Sequence, residues 1–148
     1  MPVTDHQVAT LRAQLKGNDE EHQQLAAQLT PEEANNEYAA LVAGAFIEAV
    51  ERRFLKNGHA AEASEVIDFV ADVRQTDDEM ASIIDPQISE GLILYLLKKG
   101  DLVDADKNKI FGHQIVLLAS LVGREQFTDE QLDAFLVEAR FLADQLLA

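Results

Sequence analysis

The strongest constraint on this chain is its punctuation. Five times a capping side chain stands three positions before Glu or Gln: Thr4 and Gln7, Asn18 and Glu21, Thr30 and Glu33, Thr76 and Glu79, Thr128 and Gln131. At that spacing the two side chains satisfy backbone N–H groups at a helix start. Pro31 and Pro86 follow Thr30 and Asp85, where a missing N–H costs nothing. Phe127 precedes Thr128 and is placed to pack on Leu132 as a hydrophobic staple. Gly17, Gly58, Gly100 and Gly123 read as helix ends, because glycine takes the left-handed conformation that follows a last turn. A chain bracketed this often by helix signals is restricted to helical architectures.

Between the marks the apolar residues recur at three- and four-residue steps. Tyr38, Leu41, Val42, Ala45, Phe46, Ala49, Val50 and Phe54 predict a long helix over 31–56, about 39 Å at 1.5 Å per residue. Val66, Phe69, Val70 and Val73 predict a helix over 60–74, and Met80, Ile83 and Ile84 a short one near 77–84. The segments 86–99 and about 104–122 are apolar almost all round, which places them centrally. Leu132, Phe135, Leu136, Ala139, Leu142, Ala143 and Leu146 line one face of a helix over 129–147. A less apolar pair, 5–16 and 19–28, precedes them. The expected fold is therefore all-α: a single domain over 1–148, six to eight helices arrayed around the long helix, with no β-sheet. Residues 1–29 form either a peripheral helical pair or an arm. A length of 148 residues with 47% hydrophobic content suffices for its own core.

Several function classes are disfavoured. Cysteine is absent, which removes thiol chemistry, disulfides and zinc knuckles. The net charge of −15 opposes phosphate binding, so neither direct nucleic-acid contact nor an anionic membrane surface is expected. No apolar run approaches the ~20 residues of a membrane span, and the N-terminal residues do not read as a secretory signal; a cytoplasmic location follows as the expectation. The glycines are dispersed, so there is no phosphate-cradling loop, and no serine sits in a Gly-flanked elbow. These features point away from catalysis, although acid–base sites leave no spacing signature. No catalytic residue, metal ligand or cofactor is assigned.

One stretch imitates a metal site. In DADKNKIF, Asp104, Asp106 and Asn108 alternate as at the start of a calcium-binding EF-hand loop. The sixth position, which needs Gly, is Lys109, and the twelfth, which needs Glu, is Ile115. The acidic residues are better explained as helix caps. Nor do His6, His22, His59 and His113 repeat at the spacing that puts two ligands on one helix face.

Three surfaces remain as candidates. Residues 59–90 hold nine acidic side chains against one cation, Arg74, a net −8. Within them Glu65, Asp68 and Asp72 share a helix face, and Asp77, Asp78 and Glu79 follow. They make either a solvated face or a docking surface for a basic protein. Ala134, Val137 and Phe141 form a second apolar stripe on the last helix, either sandwiched inside the fold or paired with a second copy in a homodimer. A pocket between helices 31–56, 86–99 and 104–122 would draw its few polar groups from Tyr38, Tyr95 and His113. The leading expectation is a non-enzymatic interaction or regulatory module. The alternatives are a small-molecule-binding helical protein and an acidic mimic of nucleic acid.

Overall fold

Four of the five polar starters, Thr4, Asn18, Thr30 and Thr128, accept from the backbone N–H three positions on. The structure, a computed structural model, describes residues 2–148, the side chain of Asn35 excepted. Helix α1 (Asp5–Leu15) opens on a reciprocal Thr4–Gln7 capping box, and α2 (Asp19–Ala27) on Asn18, whose side chain accepts from the Glu21 N–H. Thr30 and Glu33 form a second box, at 3.2 Å each way, that starts a single π turn over Glu33–Glu37. The central helix α3 (Tyr38–Phe54) follows directly. Thus the expected 31–56 helix is realised as two pieces, with the α-helical part only 17 residues long.

Next come α4 (Ala63–Arg74), α5 (Asp78–Ile83), α6 (Pro86–Leu96), α7 (Lys107–Glu125) and α8 (Asp129–Leu147). The all-α expectation holds, with one amendment to its strand-free form. Leu55–Lys56 (β1) and His59–Ala60 (β2) pair antiparallel as a two-residue ribbon. Asn57 and Gly58 both have positive φ, 54° and 78°, the turn that Asn-Gly favours between strands. Gly58 therefore closes a hairpin rather than a helix.

Two other glycine stops are also displaced. At the end of α6 the left-handed residue is Lys98 (φ 61°), not Gly100. Helix α7 runs straight through Gly123 and ends at Gln126 (φ 53°). The cap of α5 is Asp77, which accepts from the Met80 N–H at 2.7 Å, while the Thr76 hydroxyl donates backwards to the Asp72 carbonyl. Phe127 does tuck in beside α8, but its ring meets Phe135 at 5.6 Å, and the Arg52 guanidinium lies over both rings.

Helix α3 is the axis of the core. Its buried face packs most extensively on α8 and next on α7, while α4 packs on α6 and α5. Leu41, Val42, Ala45 and Val50 of α3, Leu117 and Leu118 of α7, and Phe135 and Ala139 of α8 are fully shielded. Helix α1 joins this core through Leu11, and Val3 just ahead of the helix joins it too. Polar ties fix it: the Val3 N–H donates to Asp144 at 2.8 Å, Arg140 donates to the Val3 carbonyl at 2.6 Å, and buried Gln7 donates to the Glu33 carbonyl at 2.8 Å. Helix α2, like α5, buries no residue; it rests on α1, held by His6 Nε2 on the Leu25 carbonyl (2.9 Å) and His22 Nδ1 on the Thr10 carbonyl (3.0 Å). Among the described residues no helix is long and apolar enough to cross a membrane.

Candidate functional site

The three polar groups expected to share one pocket are separated. His113 is buried on α7 with both ring nitrogens engaged: Nδ1 donates to the Lys109 carbonyl at 2.7 Å and Nε2 accepts the Asp85 N–H at 3.0 Å. It pins the start of α6 to α7 and has no capacity left for a ligand. Tyr95 stands at the mouth of an apolar cleft of about 170 Å³ between α3, α6 and α7, walled by Phe46, Ile47, Leu92, Leu96 and Ile110. A cleft therefore does occupy the space between those three helices, but it receives only Tyr95 of the expected trio, together with Gln114.

Tyr38 belongs to a different cavity, a chamber of about 300 Å³ open to the surface and bordered by α1, α2, the start of α3 and α7. Ala26, Leu29, Ala34, Phe111 and Ile115 supply its apolar wall, and Thr10, Gln14, His22 and Tyr38 its polar side. Two of these residues carry an oddity. The Tyr38 hydroxyl and Gln14 Oε1 are shut off from solvent and have no hydrogen-bond partner. Tyr38 as a whole is only 8% exposed. Burial pushes its phenol up to about 12, so it stays a neutral O–H at any ordinary pH. An unmade hydrogen bond on a buried hydroxyl or amide costs about 1–3 kcal/mol, and two such atoms on one cavity are a feature to be explained. The third unpaired group, the Ser89 hydroxyl, is buried on α6 and borders neither cavity.

Sequence reading does not single out Gln14, and it raises His22 only as a metal ligand. The signal was present in α1, where Gln7, Thr10 and Gln14 fall at i, i+3 and i+7. That spacing makes a polar stripe on one helix face, and the structure turns it inward, with Gln7 and Thr10 nearly fully buried. Gln7 and Thr10 find partners, Thr10 through the His6 carbonyl at 2.8 Å. Gln14, one turn further on, meets the chamber instead. Nearby, the Thr30 N–H and the Thr4 hydroxyl hold the Glu33 carboxyl below the usual carboxylate range, which fixes the π turn ahead of Tyr38.

The two surface candidates are both exposed. Glu65, Asp68 and Asp72 on α4 and Asp77, Asp78 and Glu79 at α5 all face solvent, and among the described residues none of the six forms an ion pair. Asp77 has a local task as the α5 cap. Arg74, the lone cation of the segment, is spent on α5 carbonyls, at 3.1 Å from Ile84 and 3.2 Å from Ala81. On α8, Ala134 is exposed, Val137 is 65% exposed and Phe141 59%. That stripe is thus not sandwiched within the fold.

Among the described residues no three His, Asp or Glu side chains converge as a metal site. No protein-family model, curated protein or solved structure matches the chain.

Proposed function

We propose that this chain is a non-enzymatic, small-molecule-binding helical protein whose ligand occupies the chamber bounded by α1, α2, α3 and α7. One observation carries the reading: two buried polar atoms, on Tyr38 and Gln14, lack partners, and both residues line the same cavity. The chamber's volume lies at the small end of ligand sites, and its makeup, apolar walls with a few polar groups, is the one such sites share. The lining offers a few polar groups for recognition, and binding rather than turnover is the activity proposed.

The chain offers a built-in reporter. It has no Trp and only two Tyr residues, so Tyr95→Phe leaves Tyr38 as the only strong intrinsic fluorophore. A panel of fragment-sized molecules is titrated against that variant. Saturable changes in Tyr38 emission, matched by a rise in melting temperature, support the reading. A folded variant that gives no saturable change with any member rules it out.

A second reading, contact with a basic protein through the acidic ridge, is favoured by the exposure of all six carboxylates and by the engagement of Arg74 elsewhere. Complementary charge accelerates encounter. Asp68→Lys with Asp72→Lys, and added salt, are expected to slow association with a basic partner captured at low ionic strength; an unchanged rate in both tests removes this reading.

A further inference from the structure

The chamber's chemistry narrows what it can hold, an inference that rests on the ligand-binding reading above. Its unpaired atoms have opposite demands. The Tyr38 hydroxyl, with no acceptor, needs a group that accepts; Gln14 Oε1, with no donor, needs one that donates. They do not satisfy each other. A single head that both accepts and donates answers both.

Charge sets the second limit. No Lys, Arg, Asp or Glu lines the chamber. His22 is its one ring base, and Nδ1 of that ring is engaged with the Thr10 carbonyl. A carboxylate or phosphate would enter without a fixed cation, in a protein of net charge −15. An ammonium would enter without a carboxylate. Either charge, buried unpaired, is costly.

Access sets the third. Both unpaired atoms are closed to solvent in this arrangement, so something must move for a ligand to reach them. Among the helices that border the chamber, α2 is the least buried. It supplies Ala26 and His22 to the chamber, buries none of its residues, and is tied to α1 by two imidazole–carbonyl hydrogen bonds. Segments with so little burial open at the lowest cost in a fold.

We infer that the chamber takes a neutral molecule bearing one hydroxyl or carboxamide head on a compact apolar body, admitted by displacement of α2. The body is about one to two aromatic rings in size, since an apolar cavity of about 150 Å³ holds one benzene. The head sits between Tyr38 and Gln14, and the body lies against Phe111, Ile115 and Leu29.

The test is a series on one carbon skeleton, titrated into the full chain at neutral pH: toluene, benzyl alcohol, benzamide, benzoate and benzylammonium. Binding is read by calorimetry and by amide chemical shifts of Phe111 and Ile115. Benzyl alcohol and benzamide are expected to bind about tenfold or more tightly than toluene and both ions, the yield of one to two hydrogen bonds. Tyr38→Phe and Gln14→Leu should each shrink that advantage while leaving toluene unchanged. His6→Ala, which loosens α2 without altering the lining, should speed benzyl alcohol association several-fold. Equal affinities across the series, or tightest binding of an ion with shifts at Phe111 and Ile115, overturn the ligand class and leave the chamber as a binding site. No shift at those residues with any member overturns both.

Discussion

Gly44 lies where α3 and α8 touch. A methyl group added there would stand 2.5 Å from the Ala139 carbonyl oxygen and 2.9 Å from the Ala143 nitrogen. Both are backbone atoms, so no side chain can swing aside. Ordinary contact begins near 3.4 Å, and Gly44→Ala therefore forces the helices apart by about 0.9 Å locally. A gap of that size forfeits roughly a quarter to a half of each dispersion contact, worth about 0.15 kcal/mol apiece. Over some forty atom pairs along the seam, on the order of what one buried leucine makes, the loss is about 1.5–3 kcal/mol. Alanine in place of a helical glycine returns about 1 kcal/mol. The net effect is a destabilisation of about 0.5–2 kcal/mol, or a melting temperature about 1–8 °C lower at this chain length.

Two internal controls reverse the sign. Gly112 and Gly123 lie within α7, exposed, with nothing within 4 Å of an added methyl. Gly112→Ala and Gly123→Ala should each stabilise by about 0.4–1 kcal/mol. Urea unfolding followed by far-ultraviolet dichroism, run on all three variants, separates the signs. A Gly44→Ala protein as stable as Gly112→Ala would mean that α3 and α8 do not approach this closely, and the description of the core around their seam would fail.

The remaining expectations are shorter. Tyr38, with a folded value of about 12 against 10.0 unfolded, holds its proton longer in the native state. Its contribution is intact below pH 10 and lost as pH rises toward 12, up to about 2–3 kcal/mol. Alkaline unfolding of Tyr38→Phe should lose that part of the pH dependence, and an unaltered profile would show the phenol to be solvated. Thr128→Ala removes the capping box of α8 and should cost about 1 kcal/mol in urea unfolding; no loss would mean that the box is not formed in solution. Phe141→Glu replaces an exposed side chain and should change stability by less than about 0.5 kcal/mol. Sedimentation of the same variant addresses the homodimer: a mass halved relative to the parent supports pairing through Ala134, Val137 and Phe141, and an unchanged mass removes it.

Where sequence signals reinforced one another, the fold was legible. Helix α8 has a capping box, an aromatic before it and an apolar stripe after it, and its observed span is Asp129–Leu147. Where one residue type was asked to carry a boundary alone, the boundary moved. Glycine permits a left-handed turn without demanding one. Lys98 and Gln126 adopted that turn, while Gly123 stayed helical. At Gly58 the preceding Asn57 carried the decisive information, since two adjacent residues of positive φ specify a hairpin turn.

The chamber was legible in its parts and not in its assembly. A helical repeat tells which residues share a face, and Gln7, Thr10 and Gln14 do. It does not tell how far one helix is rotated against the next, and that rotation separates Tyr38 from Tyr95 and His113. Nor does it tell whether a polar atom, once buried, finds a partner: His113 and Gln14 are both polar groups in helices, yet one ring satisfies two backbone groups and the other amide oxygen satisfies none. That difference is one of placement by about a hydrogen-bond length, far below what periodicity encodes. A fold that satisfies Gln7, Thr10 and His113 inside its core shows that it has the means to pair buried polar groups. Ser89 shows that this fold also leaves a buried hydroxyl unpaired away from both cavities; what sets Tyr38 and Gln14 apart is that they line one chamber, and the proposed ligand site rests on that coincidence.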